Sequence, residues 1–222
     1  YGSAGQRCMA VSVVVAVGAS ADQLVDAIAM RTERISIGDG TSPQSEMGPL
    51  ITREHRDRVE SYIGAAESDG AVVVVDGRTA SLPEDGFFLG CTLLDAVGPK
   101  MSVYKEEVFG PVLCVVRVDT YDDALALLRD SPFGNGVALF TRDGGAARKF
   151  TDQVEVGMVG INVPIPVPVA HHSFGGWKNS LFGDTHMYGP EGIQFYTRGQ
   201  VVTTRWPSPE NSSVDLGLPP GD

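Results

Sequence analysis

The sequence is poor in cysteine, in positive charge and in long apolar runs. Its 222 residues include three cysteines, Cys8, Cys91 and Cys114, none in a C-x-x-C spacing. So odd and sparse a set makes a poor disulfide framework and a poor zinc site, and it fits a reducing, cytoplasmic setting. Lys and Arg number 17 against 28 Asp and Glu, a net charge of −11. That balance repels phosphates and argues against a nucleic-acid or anionic-membrane surface, while leaving room for a local basic pocket. The most apolar stretch, Met9 to Ala19, is interrupted by Ser12 and Gly18. It falls short of the roughly 18–20 residues of a membrane helix, and no basic segment precedes it to make a signal peptide. A G-x-G-x-x-G dinucleotide fingerprint is missing, as is any internal repeat.

What remains is an ordinary globular composition, 42% hydrophobic and 20% charged, enough for one large domain with a single core. Ser20-Ala21-Asp22-Gln23 has the form of a capping box, followed by Leu24, Val25, Ile28 and Ala29 at helical spacing. Thr52 is placed to cap a second helix, with Val59, Tyr62, Ile63 and Ala66 on one face. Ala71 to Val75 reads as a strand buried on both faces. Phe87 to Leu94, Pro111 to Val118, Val137 to Phe140 and Val156 to Val163 are further strands, with helices opening at Thr120 and running from Gly145 to Val154. Strands alternating with helices predict an open, mainly parallel α/β sheet with helices on both faces. Gln194 to Thr204 is β-prone without a following helix. Ser208 to Asp222, rich in Pro, Ser, Gly and acids, predicts a mobile tail. Tyr1-Gly2-Ser3-Ala4-Gly5 reads as a loop in mid-protein, so a fragment lacking its N-terminal part is expected.

Cys8 follows Gly5-Gln6-Arg7 and precedes an apolar run. A cysteine at a loop-to-helix entry beside a guanidinium would favour the thiolate, the reactive form. Local sequence alone fits a buried structural cysteine equally well. Cys91 and Cys114 sit inside strand-like runs with no basic neighbour and read as structural.

Five segments then occur in a telling order: Gly5-Gln6-Arg7-Cys8; Glu46-Met47-Gly48-Pro49-Leu50-Ile51; Lys105-Glu106-Glu107-Val108-Phe109-Gly110-Pro111-Val112; Pro132-Phe133-Gly134-Asn135-Gly136; and Ser173-Phe174-Gly175-Gly176-Trp177-Lys178. In order and spacing they resemble the catalytic domain of aldehyde dehydrogenases from about Gly2 to about Trp206. Arg7, the proline-rich run Gly160 to Pro168, and Gly183 to Thr197 resemble the CoA-acylating methylmalonate-semialdehyde branch of that family. The resemblance implies a catalytic domain over 1–192, an oligomerisation strand over 193–207 and a tail over 208–222. The dinucleotide-binding domain would lie upstream and be absent here, as would the oxyanion-hole Asn and any general-base Glu.

By the same resemblance Cys8 is the nucleophile, forming a thioester that passes to coenzyme A after hydride transfer to NAD. The Cys8 N–H would be one oxyanion donor. Arg7 would grip the carboxylate of malonate or methylmalonate semialdehyde; the alternatives are that it tunes the cysteine or forms a surface ion pair. Glu107 would accept from the nicotinamide ribose hydroxyls and Phe109 would stand beside the nicotinamide. Without their flanking residues, Glu106 and Glu107 would read as a solvated acidic pair. Phe174 would line the aldehyde tunnel, although a Phe in a glycine-rich loop also reads as packing. A homodimer or tetramer is implied. His171-His172 lacks a third ligand in sequence, and no metal site is expected. Three other readings stand beside this one: a hydrolytic NAD(P)-dependent aldehyde dehydrogenase, a non-catalytic assembly module, and a cysteine hydrolase using His171 or His172.

Overall fold

The computed structural model describes residues 1–206, so the tail expected over 208–222 lies outside the described residues. Four strands make the main sheet: β1 (Val13–Val17), β2 (Val72–Val75), β3 (Thr92–Asp95) and β4 (Val112–Val118), in the order β1-β4-β3-β2. The β1–β4 and β4–β3 pairings are parallel, with Val13 opposite Cys114 and Thr92 opposite Val112, while β3–β2 is antiparallel. Alternation along the central strands sorts the core into two layers. Val112, Cys114, Val116 and Leu94 face one cluster; Leu113, Val115 and Leu93 face another.

Each layer is closed by a helix. α1 (Ala21–Thr32) brings Ala21 and Val25 to the Leu113 side. α2 (Arg53–Ser68) brings Val59, Ile63 and Ala66, all fully buried, to the Val112 side. The single helical turn α3 (Ser102–Lys105) packs beside α2 and buries Val103. This is the open α/β sheet covered on both faces that strand–helix alternation predicts.

Three local expectations change. β2 is not buried on both faces: it is an edge strand whose Val72 is 54% exposed, paired only with β3 through a register shift. Ser20 makes no capping bond, because its own backbone is already helical and its Oγ donates instead to the Val17 carbonyl at 2.9 Å. The strand expected over Phe87 to Leu94 starts only at Thr92, because Gly90 closes onto Gly77 first, its N–H reaching the Gly77 carbonyl at 3.1 Å.

A second layered unit comes next in the chain. α4 (Tyr121–Asp130) opens with a true capping box between Thr120 and Asp123. After it come β5 (Phe133–Gly134), β6 (Gly136–Leu139), α5 (Gly144–Gln153) and β7 (Met158–Ile161), with β6 and β7 parallel. Asp143 caps α5 by accepting from the Gly145 and Ala146 N–H groups. Phe150, Val154 and Val156 form the core here. β8 (Trp177–Lys178) returns antiparallel to β5, and Lys178 donates to the carbonyls of Leu128, Arg129 and Ser131 at 2.9–3.2 Å. Its ammonium thereby serves the free C-terminal carbonyls of α4.

Over the segment expected as an oligomerisation strand, the chain alone forms no strand. Gln194 to Tyr196 ends a helix, α6 (Pro190–Tyr196), and 197–206 joins no ladder among the described residues. The reason is local: Pro190 follows Gly189 as a helix-starting residue, and a strand needs a partner to bond. Val201, Val202 and Trp206 are 94%, 73% and 90% exposed. Among the described residues, no helix is long and apolar enough to cross a membrane.

Candidate active site

Cys8 is exposed, whereas Cys91 and Cys114 are buried. Burial pushes the Cys91 thiol up to about 11 and the Cys114 thiol up to about 12, so neither ionises near neutrality. The expectation that Cys8 opens a helix is not met. It sits in a turn closed by the Ala10 N–H on the Arg7 carbonyl at 2.9 Å, and the chain then enters β1. Valines dominate the residues from Val11 to Val17, and β-branched side chains favour strand over helix. Helix-dipole activation of this thiol therefore has no structural basis here; Arg7 lines the same cleft as Cys8. The Cys8 N–H meets no acceptor among the described residues, which leaves it available to an oxyanion.

Before the cysteine, Ser3, Ala4 and Gly5 all have left-handed backbone, with φ of 55°, 54° and 69°. Such conformations are costly away from glycine and persist only where packing enforces them. Ala4 is 1% exposed against Met47 and Cys91, which supplies that packing.

Arg7 and Cys8 line a cleft of about 90 Å³ together with Glu106, Glu107, Val108 and Phe109. Residues about a hundred positions apart meet because β1 and β4 are neighbours in the sheet, so the loops entering them emerge side by side. Phe109 adopts φ 55° and Glu107 is exposed at the cleft. Arg7 is exposed and makes no ion pair among the described residues. Phe174, half-buried in the loop before β8, does not line this cleft. The rings of His171 and His172 lie 4.3 Å apart between centroids, tilted by 49°, and both residues are exposed.

Sequence reasoning missed the residues that hold these loops. Gln6 accepts the Ile51 N–H through its side-chain oxygen at 3.0 Å. Asn135 donates from its amide to the Cys8 carbonyl at 3.3 Å and to the Met9 sulfur at 3.3 Å. The Tyr62 hydroxyl donates to Glu106 at 2.5 Å, and that carboxylate raises the phenol. Gln6 and Asn135 lie within segments that carry the family resemblance; their bonds to distant backbone leave no periodic signal.

An exposed thiol thus shares a cleft with a carboxylate and an aromatic carried on an adjoining loop of a parallel α/β sheet. The chain belongs to the aldehyde dehydrogenase family, whose model matches residues 1–202. Among its relatives, malonate-semialdehyde dehydrogenase of Pseudomonas aeruginosa is 55% identical over 210 residues, covering 93% of this chain and 42% of that protein. Malonate-semialdehyde dehydrogenase 1 of Geobacillus thermodenitrificans is 46% identical, covering 93% and 43%. The crystal structure of methylmalonate-semialdehyde dehydrogenase from Oceanimonas doudoroffii superimposes with a TM-score of 0.90 at 55% identity, over 93% of this chain and 43% of that one. A Sinorhizobium meliloti 1021 structure assigned to the same activity, in complex with NAD, gives 0.91 at 51% identity over 94% and 43%. The chain thus spans less than half the length of these relatives.

Proposed function

We propose that this chain carries the nucleophile side of an NAD-dependent, CoA-acylating dehydrogenase acting on malonate or methylmalonate semialdehyde. The observation that carries the reading is that exposed Cys8 and Arg7 line one cleft with Glu107 and Phe109. In this reading the Cys8 thiolate attacks the aldehyde carbon and forms a C–S bond, with the Cys8 N–H donating to the resulting oxyanion. Bound NAD would supply the hydride acceptor. Glu107 has an exposed carboxylate that suits two ribose hydroxyls, and Phe109 offers a 36% exposed ring at the cleft, so the residues present fit that cofactor. The thioester on Cys8 is then attacked by the thiol of CoA; the bond to Cys8 breaks and its thiolate leaves. Breaking the C–C bond to the carboxylate releases CO2, and the enolate carbon left behind takes up a proton, which accounts for acetyl-CoA or propanoyl-CoA as product.

Arg7 makes no ion pair among the described residues, so its guanidinium is available to the substrate carboxylate, which favours that role over a surface ion pair. For Phe174 as an aromatic beside the aldehyde path, the support is its motif alone. The exposed apolar side chains of 182–206 support assembly into a dimer or tetramer, and the free thiols suit a cytoplasmic setting. The test uses the complete polypeptide with semialdehyde and NAD, with and without CoA. Acyl-CoA formation that vanishes in Cys8→Ser supports the proposal. Free acid formed without CoA consumption would establish the hydrolytic alternative instead.

A further inference from the structure

One face of α2 meets the Glu106–Gly110 segment at Glu106, Phe109 and Gly110. His55, Val59 and Tyr62 stand at i, i+4 and i+7, which lines them up along the helix. Tyr62 holds Glu106 by a hydrogen bond at 2.5 Å. Val59 lies under Gly110 so closely that an added Cβ there would come within 2.6 Å of it. His55 Nε2 stands 2.7 Å from the Phe109 carbonyl oxygen, and Arg58 Nη2 stands 3.1 Å from His55 Nδ1.

The imidazole's state is set by its partners. A guanidinium only donates, so Nδ1 must accept, and the ring proton belongs on Nε2, where it donates to the carbonyl. The neutral Nε2–H tautomer satisfies both contacts. Its target carbonyl belongs to Phe109, whose left-handed backbone needs enforcement from outside. The helix turn that presents His55 is itself fixed, since Thr52 accepts the His55 N–H at 3.1 Å and the neighbouring Ile51 N–H is bonded to Gln6.

We propose that His55 is a positioning residue: its Nε2–H, oriented by Arg58, sets the Phe109 peptide and with it the placement of Glu107 and Phe109 at the cleft. The consequence for NAD rests on the function proposed above. The consequence for the backbone does not. Three forms of the complete polypeptide separate the two: wild type, His55→Ala and His55→Gln, the last retaining a donor of similar reach.

Hydrogen exchange over Glu106–Gly110 should rise in His55→Ala and return towards wild type in His55→Gln. KM for NAD should rise about five- to tenfold in His55→Ala, the loss of one hydrogen bond, with kcat changing less, and His55→Gln should recover to within about twofold. Unchanged exchange in His55→Ala, or His55→Gln as impaired as His55→Ala, overturns the proposal. A wild type that ignores NAD while the exchange pattern holds would refute the proposed function and leave the positioning role standing.

Discussion

Gly5 meets Gly110 backbone to backbone: a Cβ added at Gly5 would lie 1.9 Å from the Gly110 carbonyl oxygen. The loop that carries the thiol and the loop that carries Glu107 and Phe109 therefore touch at a point where only hydrogen fits. Gly5 also has φ +69°, so a side chain there is doubly excluded. Gly5→Ala should cost more than about 2 kcal/mol of stability by urea unfolding. Gly2→Ala, where nothing lies within 4 Å, should stay within about 0.5 kcal/mol.

Thiol reactivity should divide sharply. Cys8 is exposed, and burial raises Cys91 to about 11 and Cys114 to about 12. Mass spectrometry after brief treatment with iodoacetamide at neutral pH should find a single label, on Cys8. Urea should release the other two. A label on Cys91 or Cys114 in the folded protein would contradict their assignment as structural.

Arg7→Ala separates carboxylate recognition from activation of the cysteine. KM for the semialdehyde should rise at least about tenfold, as expected for a lost charge-assisted pair, with little change for propanal. Equal impairment with both aldehydes would assign Arg7 to the thiol instead.

Lys178 donates to three carbonyls at the end of α4 with its side chain only 20% exposed. Lys178→Met keeps the stem and removes the donor, so urea unfolding should show a loss of about 1–3 kcal/mol. Glu155, 3.5 Å from that ammonium and 54% exposed, should matter much less when changed to Gln.

Acid stability should depend on Asp95. The Arg117 guanidinium hydrogen-bonds its carboxylate and holds it below the ordinary value of 3.8. A carboxyl whose native pKa is depressed stabilises the fold above its unfolded pKa, and that contribution fades as pH falls through the native value. Urea midpoints from about pH 7 to about pH 2 should fall less steeply in Asp95→Asn than in wild type. Parallel curves would exclude Asp95 as a contributor to acid unfolding.

Much of the fold was legible from periodicity. Pro111 to Val118 reads as a strand, and β4 runs over Val112–Val118; Thr52 and Thr120 cap the helices they precede. Ser20 fails because a capping side chain works only on an extended backbone, and this residue has φ −76° and ψ −14°. The edge position of β2 could not be read because four consecutive valines look alike at the rim and at the centre of a sheet. At the site, Cys8, Arg7, Glu107 and Phe109 were found as motif residues. The holding roles of His55, Tyr62 and Asn135 were not legible, because each acts through bonds to residues far away in sequence, 54, 44 or 127 positions off, that leave no periodic signal.

The thiol-bearing turn is moored on three sides: at Gly5 by Gly110, at Gln6 by Ile51, and at the Cys8 carbonyl by Asn135. A segment tethered in this way has no cheap private route to disorder. Warming should unfasten the cysteine only when the main sheet, the start of α2 and the β5–β6 turn that hold these moorings give way together.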